Sequence, residues 1–201
     1  LMERDAKNRW VARQNRYRME AENVRDLYLS ASGLLNPRVG GASIRPPLPS
    51  GIAELGYAGG HQWPVTEGAE KYRRGMYIFL QRTVPYPMLT TFDAPDSTTS
   101  CLRRERSNTP LQALTLLNDP VFVECAQSLG IRGCEKFPEE TTKRLEWMFQ
   151  SCVSRKPTPE ELERLTALYG ELKELVARTP ESAGEIVGEQ KPKEGEGAKV
   201  A

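Results

Sequence analysis

Three arginines, Arg103, Arg104 and Arg106, stand just ahead of Asn108-Thr109-Pro110-Leu111-Gln112. A guanidinium presents a planar fork of donors that suits carboxylate, sulfate or phosphate. A helix opening at Pro110 would add unpaired backbone N–H groups and a partial positive charge. Together these are the ingredients of an anion site. The same stretch also argues for a closed structure. Thr109 at the cap position uses one N–H, and Pro110 removes another donor. A little upstream, Phe92-Asp93-Ala94-Pro95-Asp96 offers two carboxylates that could hold an arginine. Arg103, Arg104, Arg106, Asn108, Thr109, Asp93 and Asp96 therefore form either a structural ion-pair group or an anion-binding group. The structural reading is ahead.

Other residues of chemical type give weaker patterns. Asp93 and Asp96 have the form of a general acid/base pair, but aspartates in such a turn more commonly shape the backbone. Tyr72, Arg73, Arg74, Tyr77 and Arg82 interleave basic and aromatic residues, as a sugar- or base-stacking surface would. Residues 71–106 hold seven Lys/Arg against three acids. Aromatics at this spacing more often fill a core. His61 is the one histidine, which excludes within this chain any site needing two, zinc HExxH included. Cys101, Cys125, Cys134 and Cys152 show no CxxC or CxxCH spacing, so neither zinc nor covalent haem is expected here. One or two disulfides, or free thiols, both fit the cysteine pattern. No catalytic constellation and no metal site are expected.

The elements that must position these groups follow from periodicity and punctuation. Trp10, Tyr17, Ala21, Val24, Tyr28, Ala31 and Leu35 recur at helical steps, predicting a helix over residues 4–32 that stops at Gly33 and Pro37. Its many arginines read as a solvated face. Residues 36–70 are dense in glycine and proline, a long loop pinned by Ile44, Leu48, Ile52, Leu55, Tyr57 and Trp63. Met76–Leu80 is a short strand or a buried helical turn. Thr109-Pro110 with Gln112 makes a capping box for a helix over 111–117, and Asp119-Pro120 opens another to about residue 129. Residues 130–140 read as irregular. Further helices are expected over 139–154 and, from Thr158-Pro159, over 159–178. From residue 179 the chain is rich in Glu, Lys and Gly and is expected to be disordered.

The fold expected is thus mainly α: one irregular helical domain over 1–178 with a long Gly/Pro-rich loop, at most a short strand pair, and a tail over 179–201. The chain has 201 residues, 38% hydrophobic and 27% charged, with a net charge of +1. That balance gives no global attraction to nucleic acid or to an anionic membrane. No apolar run approaches the roughly 20 residues a membrane span needs. Leu1 is an unusual start, and the sequence reads as a fragment of a longer protein.

The run YRRGMYIFLQRTVPYPMLTTFDAPDSTTSCLRRERSNTPLQALTLLNDPVFVECAQSL resembles a planctomycete-specific domain of unknown function. RMEAENVRDLYLSASGLLNPRVGGASIRPPLP is similar to that family's upstream segment, and SRKPTPEELERL to its closing helix. The motifs at Tyr72, Phe92, Cys101 and Asn108 occur in the family's order. The resemblance implies the C-terminal part of a large exported or periplasmic bacterial protein that often carries a planctomycete cytochrome c-type domain. Any haem would belong to that separate upstream domain. The partners implied are upstream domains of the same polypeptide, with carbohydrate as a further candidate and no nucleic acid. Two functions follow as expectations: a non-catalytic binding or structural module packing on those upstream domains, or part of an enzyme acting on an extracellular, anionic polysaccharide through Arg103, Arg104 and Asp93.

Overall fold

The computed structural model describes residues 3–14, 17–49, 63–82, 84–179 and residue 186. His61, Ile52, Leu55, Tyr57 and nearly all of the 179–201 tail lie outside the described residues. Within them the architecture is mainly α, with six helices: α1 Ala21–Ser32, α2 Pro87–Thr91, α3 Pro110–Asn118, α4 Pro120–Lys136, α5 Thr141–Val153 and α6 Pro159–Arg178. Two short 3-10 turns, Gly68–Tyr72 and Gly75–Tyr77, sit between α1 and α2. No sheet is present among the described residues. Extended backbone pairs only at two isolated parallel bridges, Asn36 with Arg73 and Ile44 with Ile78.

Local chemistry sets the helix starts. The Thr109 hydroxyl accepts from Gln112 N–H while the Gln112 side chain accepts from Thr109 N–H, a reciprocal capping box, with Pro110 in the first turn. Thr158 and Glu161 repeat the arrangement ahead of α6. Asp119 caps α4 through Val121 N–H. α1 ends at Gly33, whose φ of 79° closes the last turn. Gly33 is also fixed by space, because a Cβ there would stand 2.3 Å from an Arg132 guanidinium nitrogen. α4 runs seven residues beyond the expected residue 129 and ends at Lys136.

The N-terminal helix is much shorter than its apolar spacing suggests. Residues 3–14 and 17–20 are turns, bends and backbone without regular structure. Asp5 explains part of this, since its carboxylate accepts from the N–H groups of Arg9 and Trp10 at 2.8 and 2.9 Å. Side-chain acceptors of this kind compete with the helical ladder. Asn8 and Val11 also take φ near +50°, which a right-handed helix cannot accommodate. Trp10 and Tyr17 stay mostly exposed, so their helical spacing has no apolar surface to meet. Within α1 the buried positions are Ala21, Arg25, Leu29 and Ser32. The face turned inward is therefore one step round from the apolar stripe and includes a cation.

The core forms where α1 crosses α4 and the loop segments close over them. Leu29, Ile44, Met88 and Phe122 are almost wholly buried there. Tyr28 meets the edge of Phe122 at a centroid separation of 4.7 Å, and Ser128 donates to the Ser32 carbonyl at 3.0 Å. The Gly/Pro-rich segment is pinned by backbone: Ile44 N–H donates to Tyr77 O at 2.8 Å and Phe79 N–H to Ile44 O at 2.7 Å. α5 packs on α4, and α6 on α5. Along α6, Leu168, Leu172 and Leu175 remain half exposed.

Candidate functional site

The three arginines ahead of α3 diverge. Arg104 forms a two-pronged pair with Glu22, at 2.7 and 3.1 Å, and also reaches Glu20 at 3.3 Å. These acids flank the start of α1, 82 and 84 positions away in sequence. Arg106 lies 3.9 Å from Glu20 and over the Tyr17 ring at 5.3 Å. Arg103 is exposed and has no hydrogen bond or ion pair among the described residues. Asn108 and Thr109 are exposed, with Thr109 engaged in the helix cap.

Asp93 and Asp96 do not partner these arginines. Asp93 sits at φ 62° and accepts from Ser107 N–H and Oγ, each at 2.8 Å, as well as pairing with Arg18. Gln112, 4% exposed, completes the joint by donating to Ser107 Oγ at 3.0 Å and to Thr91 O at 2.9 Å. One glutamine thus caps α3 and ties it to α2 and to the 107 turn. Burial alone would raise the Asp93 carboxyl; the Ser107 donors and Arg18 outweigh it and hold the group below its ordinary range. Glu22 behaves alike: burial raises it, and the Arg104 hydrogen bond, a backbone hydrogen bond and the Arg104 charge together more than reverse that. Asp96 is engaged locally, accepting from Thr98 N–H and Oγ. The hollow bounded by Arg18, Asp93, Arg104 and Arg106 has no room for a water molecule.

The basic–aromatic run divides between interior and surface. Tyr72 and Arg73 are buried, so they offer no contact surface. Arg73 lies against the Tyr77 ring at 3.9 Å and donates to the carbonyls of Ala42, Arg38 and Gly40. Tyr77 itself accepts from Gly40 N–H at 2.8 Å. Arg74 pairs with Asp26 at 3.1 Å, and Arg82 is exposed.

Sequence reasoning missed the acids Glu20 and Glu22, the Arg18–Asp93–Ser107–Gln112 joint, and two buried arginines. Arg25 is fully buried on the inner face of α1 and donates to the carbonyls of Arg73 and Lys71. Arg144 donates to Phe137 O at 2.9 Å and to the Tyr169 hydroxyl at 3.3 Å, joining α5 to the α4–α5 turn and to α6. Arg25 stands four residues after Ala21 and four before Leu29, and that register was the available signal. The four cysteines are free thiols, with Cys125 buried and the others exposed. Burial pushes the Cys125 thiol up to about 11, which leaves it protonated and a poor nucleophile at neutral pH. No cluster of potential metal ligands occurs among the described residues, and no helix there is long and apolar enough to cross a membrane.

A family model described as "Protein of unknown function (DUF1553)", PSD1, matches residues 1–169. No curated protein and no solved structure matches the chain.

Proposed function

The chain belongs to the DUF1553 family of proteins of unknown function, and we propose that it is a non-catalytic module that packs against other modules of an exported bacterial protein. The observation that carries this is the orientation of α3. The helix buries Gln112, and it turns Leu111, Leu114 and Leu117 outward at 60, 55 and 73% exposure. A surface helix ordinarily does the reverse, and apolar surface gathered on one element marks a contact face. The polysaccharide-enzyme reading has less support. Arg104 and Asp93 are engaged by protein partners, and Arg103 alone among the three arginines is free to meet a ligand.

The finer placement rests on the motifs at Tyr72, Phe92, Cys101 and Asn108. They support a planctomycete protein with a signal peptide and a cytochrome c-type module elsewhere in the polypeptide. This chain then carries no haem of its own. Hydrogen exchange tests the module reading, comparing the chain alone with a longer polypeptide containing its neighbouring modules. Slower exchange of α3 amides in the longer form is expected. Equal exchange in both would overturn the reading.

A further inference from the structure

The segment ahead of α1 is fastened by its own polar groups. Asp5 is buried, and its carboxylate accepts from the N–H groups of Arg9 and Trp10. The Asn8 side chain donates to Arg13 O at 2.7 Å and accepts from Arg13 N–H at 3.3 Å, while the Arg13 guanidinium donates to Ala6 O at 3.0 Å. Backbone bonds from Asn8 N–H to Asp5 O and from Val11 N–H to Asn8 O close a knot over residues 5–13. The knot does not use its apolar residues: Trp10 and Val11 are 68 and 82% exposed, and Ala12 is exposed as well. Val11 takes a φ of 51°, an outlier for a β-branched residue. Such strain persists where surrounding bonds over-determine it, and it points to a use for the side chain so displayed. Arg4, Lys7 and Arg9 are exposed and form no ion pair among the described residues. The charge of Arg13 reaches Asp5, so these three cations face only Glu3 among the acids of residues 3–14.

We propose that this knot is a contact site for an anionic lipid surface, with Trp10 and Val11 entering the interfacial layer and Arg4, Lys7 and Arg9 meeting headgroup phosphates. Tryptophan favours the headgroup level, where its ring has apolar neighbours and its N–H has acceptors. Lys and Arg close to an anionic leaflet are attracted by its surface potential. The whole chain carries a net charge of only +1, so the attraction is local to this segment, and surface contact needs no membrane-spanning helix. A sugar polymer fits the tip less well, because Val11 and Ala12 offer hydroxyl groups no hydrogen bonds, whereas acyl chains require none. A loop already fixed by its own bonds loses little freedom on binding. The surface uses none of the α3 leucines, so it is tested apart from the module reading.

The test is sedimentation of the full chain with lipid vesicles. Vesicles of phosphatidylcholine and phosphatidylglycerol in equal parts carry the chain down and move its tryptophan emission to shorter wavelength; pure phosphatidylcholine leaves it in solution. Trp10→Ala lowers the affinity roughly tenfold and abolishes the emission shift, although the half-buried Trp63 and Trp147 remain. Arg4→Gln, Lys7→Gln and Arg9→Gln combined lower it on the order of a hundredfold, and added salt weakens the parent in the same direction. All four side chains are exposed, so the helical circular dichroism of both variants matches the parent. A chain that stays in solution with the anionic vesicles overturns the proposal. So does sedimentation that Trp10→Ala leaves unchanged, or binding to the anionic polysaccharide polygalacturonate in place of vesicles.

Discussion

Arg73 and Arg104 carry the same group in opposite settings. Arg73 is 2% exposed, and its hydrogen bonds go to backbone carbonyls of one loop, at Arg38, Gly40 and Ala42. Arg104 has a third of its side chain exposed, and its partners are the carboxylates of Glu20 and Glu22. The first arrangement fastens a glycine-rich segment that has few apolar anchors of its own. The second holds the turn ahead of α3 against the start of α1. Carbonyl partners do not titrate and are weakly screened; carboxylate partners do titrate and lose strength in salt. Guanidinium groups can therefore serve this fold in two distinct ways, and the sequence around them does not announce which.

The sharpest way to break that contrast is to remove one head group from each setting. Arg73→Met removes a buried guanidinium that packs on Tyr77 and bonds the carbonyls of Arg38, Gly40 and Ala42, so a loss of about 3 kcal/mol is expected, read as a shift in the urea midpoint. Arg104→Met removes a partly solvated pair, and a loss of about 1 kcal/mol is expected. Equal losses would erase the distinction between the two settings.

Acid provides the next and smaller effect. Glu22 and Asp93 are held below their ordinary values of 4.5 and 3.8, so the unfolded chain takes up their protons first. The stability they contribute is present in full above about pH 5 and drains away as pH falls through 4 and lower. The deficit of Arg104→Met relative to the parent should shrink between pH 7 and pH 3, while that of Arg73→Met, whose carboxylate neighbour Glu70 stands 3.8 Å away and is 40% exposed, should shrink less. A deficit for Arg104→Met that is the same at both pH values would detach it from the carboxylates. The smallest change is expected at Arg103, where Arg103→Met should stay within about 0.5 kcal/mol of the parent; a larger loss by thermal melting would reveal a partner that its exposed position does not suggest.

What could be read from sequence was local. The Thr109–Gln112 and Thr158–Glu161 boxes need only three-residue spacing, and α6 runs from Pro159 to Arg178 as its leucines indicate. The N-terminal helix was misread because Trp10 and Tyr17 have the right period and nothing to bury against, whereas Asp5 diverts the backbone N–H groups. Arg25 was missed because its acceptors lie 46 and 48 positions away. Arg104 was matched to the nearby aspartates because they are close in sequence; only the fold brings Glu22 to it. Periodicity locates a helix face, but it cannot say whether that face will bury a cation, since this depends on carbonyls contributed by distant loops.

Arg104 and Arg106, ahead of α3, act on the fold through Glu20 and Glu22. A double-mutant cycle between Arg104→Met and Glu22→Gln, measured by urea unfolding near neutral pH, tests it most directly. Coupling of about 0.5–1 kcal/mol between the two positions is the result this structure requires. Strictly additive losses would contradict it and leave Arg104 free for a ligand.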